Sequence, residues 1–92
     1  MAENMELKYA RKYPKIVDSF LVKETEDSGF YVSRQDIVDS LVHDYDVEIG
    51  EAYRMANEVT DKEMSKLAKS CSKGNASVII KKYVGKNLGV PL

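Results

Sequence analysis

The sequence predicts a mainly α-helical fold, a single small domain of four to five helices with room for a minor two-stranded β patch. Three observations lead to this prediction: the chain length, the spacing of the apolar residues and two helix-capping patterns. Ninety-two residues are enough for one hydrophobic core. Because the chain carries neither an internal repeat nor a low-complexity tract, residues 1–92 are expected to fold as one unit, with segments 1–13 and 85–92 as flexible ends.

A first helix is expected to begin at Pro14, because proline suits the first position of a helix. Four apolar residues would share one face of this helix: Ile16, Val17, Phe20 and Leu21. The polar segment 24–29 ends in a glycine, which is typical of a loop. The helix is therefore expected to end near Glu24.

A short strand and a second helix are expected after the loop. Phe30, Tyr31 and Val32 are aromatic or β-branched, which favours a strand. Ser33, with Asp36 three residues later, is close to a capping box and indicates the start of a helix. The apolar residues beyond it recur on one helical side: Ile37, Val38, Leu41, Val42 and Tyr45.

The pattern of residues 51–73 predicts either one long helix or two shorter ones. Gly50 marks a turn before this stretch. Within it, Thr60 and Glu63 match a capping box, so a separate helix could begin at Asp61. The apolar face of that helix would consist of Met64, Leu67, Ala68 and Cys71. Gly74 is expected to close it in the left-handed conformation.

Residues 75–84 fit either a strand or a helix. Three successive β-branched residues, Val78, Ile79 and Ile80, favour a strand that pairs with residues 30–32 and completes the β patch. The four-residue spacing of Ile80, Val84 and Leu88 favours a helix instead. The core is expected to draw on apolar residues from all of these elements: Ile16, Val17, Phe20, Leu21, Ile37, Val38, Leu41, Val42, Met55, Val59, Leu67 and Ile80.

The order of these elements resembles that of winged helix-turn-helix domains. The resemblance rests on that order and on the entry Tyr31-Val32-Ser33-Arg34 into a helix, and it covers most of residues 14–84. It implies that the third helical stretch is a recognition helix and that the apolar C-terminal segment forms a wing. The chain departs from the pattern at two places. Glu51 and Glu58 lie on the expected recognition helix, and no hairpin turn lies between residues 76 and 84.

Charge is distributed unevenly along a chain whose net charge is −1. Residues 1–23 carry a net charge of +2. Residues 24–63 hold twelve acidic residues against three basic ones, a net charge of −9. Residues 64–92 hold six lysines and no acidic residue. Such asymmetry is typical of a surface that faces a polyanion or an acidic partner.

The lysines of the last third of the chain form the candidate binding site. Lys62, Lys66, Lys69 and Lys73 are spaced by four, three and four residues, which places them along one helix face. With the residues that follow, the candidate site for nucleic acid or an acidic partner comprises Lys62, Lys66, Lys69, Lys73, Lys81, Lys82, Tyr83 and Lys86. Ammonium groups neutralise phosphates, and an aromatic ring can stack on a base. Two structural explanations stay open: lysines favour a helix C-terminus, and these could pair with the acidic middle of the chain.

Catalytic and metal-dependent functions are not indicated. His43 is the only histidine and Cys71 the only cysteine, so neither a Cys–His nucleophile nor a zinc site is expected. Residues 44–55 begin like a calcium loop, but Ile49 stands where glycine is needed and Met55 where a bidentate Glu belongs. We therefore expect no catalytic residue, no bound metal and no cofactor.

A cytoplasmic location without a membrane partner is expected. The longest uninterrupted apolar run is three residues, whereas a membrane span needs about 20 predominantly apolar residues. Residues 1–12 lack the apolar region of a signal peptide. A lone cysteine also suits a reducing compartment.

The sequence thus predicts a non-catalytic intracellular binding protein. In the first hypothesis it is a nucleic-acid-associated accessory or regulatory protein that contacts the backbone with low sequence specificity. Lysine is a point charge that positions on phosphate, whereas base edges are read by Arg, Asn and Gln. In the alternative hypothesis it is a protein–protein interaction module or a homodimer, whose acidic and basic surfaces complement each other.

Overall fold

Helices dominate the structure, a computed structural model that describes residues 5–23 and 29–89. Within these residues lie five α-helices: α1 (Met5–Lys12), α2 (Arg34–Tyr45), α3 (Ile49–Asn57), α4 (Asp61–Ser70) and α5 (Ala76–Asn87). A 3₁₀ helix, Pro14–Val17, leads into strand β1 (Ser19–Lys23), which precedes strand β2 (Gly29–Ser33). The prediction of a mainly α-helical small domain with a two-stranded β patch is confirmed.

The ends of the chain and the predicted loop are described only in part. Residues 5–12 form α1, and residues 85–87 form the last turn of α5. Gly29, the last residue of the predicted loop, begins β2. The other loop residues, 24–28, lie outside the described residues, as do the terminal segments 1–4 and 90–92.

The β patch is an antiparallel pair of β1 and β2, with Phe20 opposite Val32 and Leu21 opposite Tyr31. The prediction of a helix that begins at Pro14 is therefore wrong beyond the first turn, where the chain enters β1. In β1 the side chains alternate: Val22 is buried whereas Leu21 is 52% exposed. Alternation of this kind is the pattern of a strand with one buried face, and β2 supplies the partner that stabilises it.

Of the two alternatives left open for residues 75–84, the helix is confirmed, because these residues lie within α5 apart from Asn75, its N-cap. The strand at residues 78–80, and its pairing with residues 30–32, is wrong. The β-branched side chains are tolerated because Ile80 and Val84, four residues apart, are buried on one side of the helix. Where the winged-helix resemblance required a wing, the chain therefore forms a helix.

The helix starts follow the predicted capping patterns. Asp36 Oδ2 accepts a hydrogen bond from the backbone N–H of Ser33 at 2.8 Å, and Ser33 Oγ accepts one from the N–H of Gln35 at 3.2 Å. Thr60 Oγ1 accepts from the N–H of Glu63 at 3.1 Å. These caps satisfy N–H groups that have no partner within their helix. The second cap separates α3 from α4, so residues 51–73 form two helices.

Gly74 does not close α4. The helix ends at Ser70 with Cys71 as its C-cap residue, and among the described glycines only Gly89 has a positive φ. The left-handed C′ position predicted for Gly74 is therefore wrong.

The core lies between the helices and the inner face of the hairpin, which α2 and α4 contact directly. Of the predicted core residues, these are buried: Ile16, Ile37, Val38, Leu41, Val59, Leu67 and Ile80. Phe20, Val42 and Met55 are half-buried against them. Val17 and Leu21 were predicted wrongly, since they are 62% and 52% exposed.

Two large polar residues are buried that the apolar pattern did not indicate. Arg34 is 0% exposed, and Tyr53 is 1% exposed. The Tyr53 ring stacks on Tyr9 of α1 at 4.4 Å between centroids, and its hydroxyl donates to Gln35 Oε1 at 3.1 Å. Burial of such groups requires hydrogen-bond partners, which here join separate elements.

Candidate anion-binding site

Helices α4 and α5 form the two walls of the candidate site. The chain turns back between them at residues 71–75, where the N–H of Ser72 donates to Asn75 Oδ1 at 2.7 Å. Nearer the α5 C-terminus, the Tyr83 hydroxyl donates to Glu63 Oε2 of α4 at 2.7 Å. The two helices are therefore joined at both ends of the space between them.

A groove of about 470 Å³ lies between these helices. Lys66 of α4 and both Lys82 and Lys86 of α5 line it, and all three are exposed. Its apolar part is formed by the buried Leu67 and the half-buried Ile79. We refer to this space as the basic groove. It presents three ammonium groups, contributed by two elements, to a single concave surface.

Lys62 and Lys69 extend the positive charge along α4. Because each helical residue turns by roughly 100°, Lys62, Lys66 and Lys69 fall within a stripe roughly 60° wide. All three are exposed. Throughout the part of the chain that the structure describes, no carboxylate is ion-paired with these three lysines or with Lys82 and Lys86. Their charge is therefore available to an external partner.

Two of the predicted lysines lie elsewhere. Lys73 lines a second groove, together with Asp36, Asp39 and Asp44 of α2. Lys81 is exposed but turns away from Lys82 by roughly 100°, because the two are adjacent on a helix. The prediction that Lys73 continues the stripe of Lys62, Lys66 and Lys69 is wrong, because α4 ends at Ser70. The seven lysines of the predicted site thus separate into five on the α4–α5 surface, Lys73 beside the aspartates of α2, and Lys81 on another side of α5.

Tyr83 lines the basic groove but is held in place. Its side chain is half-buried, and its hydroxyl is engaged by Glu63. Burial, together with the hydrogen bond to a carboxylate, raises the pKa of Tyr83 above its ordinary value of 10.0. The phenol therefore stays protonated and serves first as a link between α4 and α5. Only the exposed part of its ring is available for stacking.

Glu63 is the residue that the charge pattern missed. It was predicted only as part of a helix cap, yet of the described residues that line the basic groove it is the one acid. The signal was present in the sequence, because Glu63, Lys66 and Ser70 are spaced by three and four residues and so share a helix face. Asn87 contributes the one side-chain amide among the same residues.

Other kinds of site receive little support from the described residues. They hold no group of three or more His, Cys, Asp and Glu side chains that could bind a metal ion. Cys71 is a buried free thiol, and burial raises its pKa, which disfavours the reactive thiolate. Among the described helices, none has the length and apolar character needed to span a membrane.

Comparisons with protein-family models, with curated proteins and with solved structures find no match to this chain.

Proposed function

We propose that this chain is a non-catalytic, cytoplasmic binding protein whose α4–α5 surface binds the phosphate backbone of nucleic acid. One observation carries the proposal: Lys66, Lys82 and Lys86 converge on the basic groove. They are not ion-paired with any carboxylate of the described chain. Lys62 and Lys69 continue the same charge along α4.

The physical basis is the release of counterions. A phosphate backbone holds condensed cations, and each lysine that neutralises a phosphate frees one of them. A row of unpaired ammonium groups therefore gains affinity from entropy without recognising a base. The buried Cys71 thiol fits the reducing conditions of the cytoplasm.

Low sequence specificity follows from the residue types. Lysine binds phosphate as a point charge, whereas bidentate contacts to base edges come from Arg, Asn and Gln. Asn87 is the one amide and no arginine is present among the described residues lining the basic groove. The groove therefore serves to hold a backbone rather than to recognise a sequence.

A titration against labelled duplex and single-stranded oligonucleotides at two salt concentrations tests the proposal. Between 50 and 200 mM salt, affinity for duplex should fall about 40-fold if three lysines contact phosphates and about 500-fold if five do. Backbone contacts are strongest at low salt. If no oligonucleotide binds at about 50 mM salt, the proposal is contradicted.

A further inference from the structure

The second groove has a chemistry opposite to that of the basic groove. It has a volume of about 510 Å³ and lies between β2, α2 and the start of α5. Asp36, Asp39 and Asp44 of α2 line it, and Lys73 is the one cation among its described lining residues. We refer to this space as the acidic groove. Asp36 is half-buried, and this burial raises the pKa of its carboxyl above the ordinary value of 3.8.

The acidic groove also exposes apolar surface. Phe30, Tyr31 and Ile80 line it, and Tyr31 is 65% exposed. Across the hairpin, Tyr31 is opposite Leu21, which is 52% exposed. An exposed aromatic residue beside a row of carboxylates suits a partner that brings both cations and apolar contacts.

The α4–α5 side of the same chain carries the cations that such a partner needs. Lys62, Lys66 and Lys69 stand in a row on α4. On α5, Val78 is 51% exposed and lies four residues before Lys82, on the same side of the helix. On α5, one cation and one exposed apolar side chain are thus neighbours.

The aspartates of α2 and the lysines of α4 extend over similar lengths of their helices. With a rise of about 1.5 Å per residue, the three aspartates of α2 span about 12 Å and the three lysines of α4 span about 10.5 Å. At roughly 100° per residue the three aspartates spread over roughly 140° of the α2 surface, so the lysine row matches them in length rather than carboxylate by carboxylate. The net charge of the whole chain is only −1, so two copies do not strongly repel each other.

We infer that the acidic groove binds the lysine row of α4 from a second copy of this chain. The contact is reciprocal when two copies face each other, and each acidic groove then receives the partner's lysines. If the geometry permits only one contact per pair, the same contact forms a head-to-tail chain. This inference goes beyond nucleic-acid binding and does not depend on it.

Sedimentation equilibrium of the full chain measures the association directly. At about 50 mM salt we expect a mass above the monomer mass of 10.4 kDa, and at about 500 mM salt a mass that falls toward the monomer, because salt screens exposed charge pairs. A monomer at both salt concentrations overturns the inference. An oligomer whose mass is the same at both concentrations also overturns it.

Charge reversal identifies the surfaces involved. Asp39→Lys with Asp44→Lys makes the acidic groove positive, and Lys62→Glu with Lys66→Glu makes the α4 row negative. Each double variant alone should be monomeric, because like charges then face each other. An equimolar mixture of the two should associate again, because every groove in the mixed pair meets a row of opposite charge. A mixture that stays monomeric overturns the inference.

A control variant separates this contact from net charge and from unfolding. Asp18→Lys with Glu58→Lys changes the net charge as much as the acidic-groove variant does, and neither residue lines the acidic groove. It should associate like the unmodified chain, and loss of association in this variant would overturn the inference. Circular dichroism verifies that each variant is folded. Both proposals use Lys62, Lys66 and Lys69, so nucleic acid and a second copy compete for these lysines. Oligonucleotide titration of Asp39→Lys with Asp44→Lys, which keeps the lysines but removes the acidic groove, measures nucleic-acid binding without self-association and so separates the failure of one proposal from that of the other.

Discussion

Arg34 Nη2 donates a hydrogen bond to Asp61 Oδ1 across 2.9 Å, which joins the first residue of α2 to the first residue of α4. The same guanidinium donates from Nε to the carbonyl of Val59 at 2.7 Å and from Nη1 to the carbonyl of Lys15 at 3.2 Å. It also lies 6.0 Å from the centre of the Phe20 ring. One buried side chain therefore ties the 3₁₀ helix, the α3–α4 turn and α2 together.

Replacement of Arg34 should strongly destabilise the fold. Arg34→Ala leaves the carbonyls of Val59 and Lys15 without this donor, and we expect the free energy of unfolding to fall by about 3 kcal/mol. Urea denaturation followed by circular dichroism measures the change. Arg54→Ala is the matched control, because Arg54 is exposed and pairs with Glu51 and Glu58 near its own helix. Equal losses for the two variants would contradict the role given to Arg34.

Asp61 should make stability depend on pH in the acid range. The hydrogen bond from Arg34 holds the pKa of Asp61 below its ordinary value of 3.8. The unfolded chain therefore takes up a proton before the folded chain does as the pH falls. The advantage of the unmodified chain over Asp61→Asn should be full above about pH 5 and should vanish as the pH falls through the lowered pKa. If the difference in unfolding free energy between the unmodified chain and Asp61→Asn stays constant down to about pH 2, the hydrogen bond from Arg34 does not make stability depend on pH.

Gly85 is expected to be required for the contact between α2 and α5. The Tyr45 hydroxyl donates to the carbonyl of Lys81 at 2.7 Å. A Cβ at Gly85 would overlap that hydroxyl and lie 3.2 Å from Tyr45 Cζ. We expect Gly85→Ala to cost about 1–2 kcal/mol despite the better helix propensity of alanine.

The control for Gly85 is Gly74→Ala, because a Cβ at Gly74 meets nothing within 4 Å. Thermal unfolding should show it to be as stable as the unmodified chain or slightly more stable. Adding Tyr45→Phe should recover part of the loss caused by Gly85→Ala. The steric explanation fails if the two glycine variants unfold at the same temperature.

Glu63 should weaken the binding of polyanions to the basic groove. Glu63→Gln removes its negative charge and keeps an oxygen that can accept from Tyr83, so we expect oligonucleotide affinity to rise roughly twofold to fivefold. Fluorescence anisotropy at low salt measures this. Glu51→Gln changes the net charge equally but lies on α3, outside the basic groove. An equal gain from both variants would show that only net charge matters.

The parts of the fold that depend on local signals could be predicted from the sequence. The starts of α2 and α4 are set by Ser33 and Thr60, whose hydrogen bonds are to residues two or three positions away. Their buried faces, such as Ile37 and Leu41 of α2, follow the helical period. Neither feature depends on a distant part of the chain.

The β hairpin could not be predicted in the same way. The apolar spacing of residues 16–21 fits a helix as well as a 3₁₀ turn followed by a strand, and the choice is made by pairing with residues 29–33. For α5 the sequence left strand and helix open. Its β-branched residues favour a strand, but the burial of Ile80 and Val84 against α2 and α4 overrides that preference.

The candidate site was predictable as a set of lysines but not as a surface. The helical spacing on α4 correctly relates Lys62, Lys66 and Lys69 because these belong to one helix. Only the packing of α5 against α4 brings Lys82 into the basic groove, while Lys73 lines the acidic groove. Likewise, the role of Arg34 is set by partners that lie 19 to 27 residues away in the sequence.

The salt dependence of duplex affinity is the most direct measurement of whether the basic groove binds a phosphate backbone. In the triple variant Lys66→Gln, Lys82→Gln, Lys86→Gln, the slope of log K against log salt should become shallower by about 2.7. The control Lys12→Gln, Lys15→Gln, Lys81→Gln has the same net charge and should keep the slope of the unmodified chain. Equal losses of slope in the two variants would contradict a defined binding surface between α4 and α5.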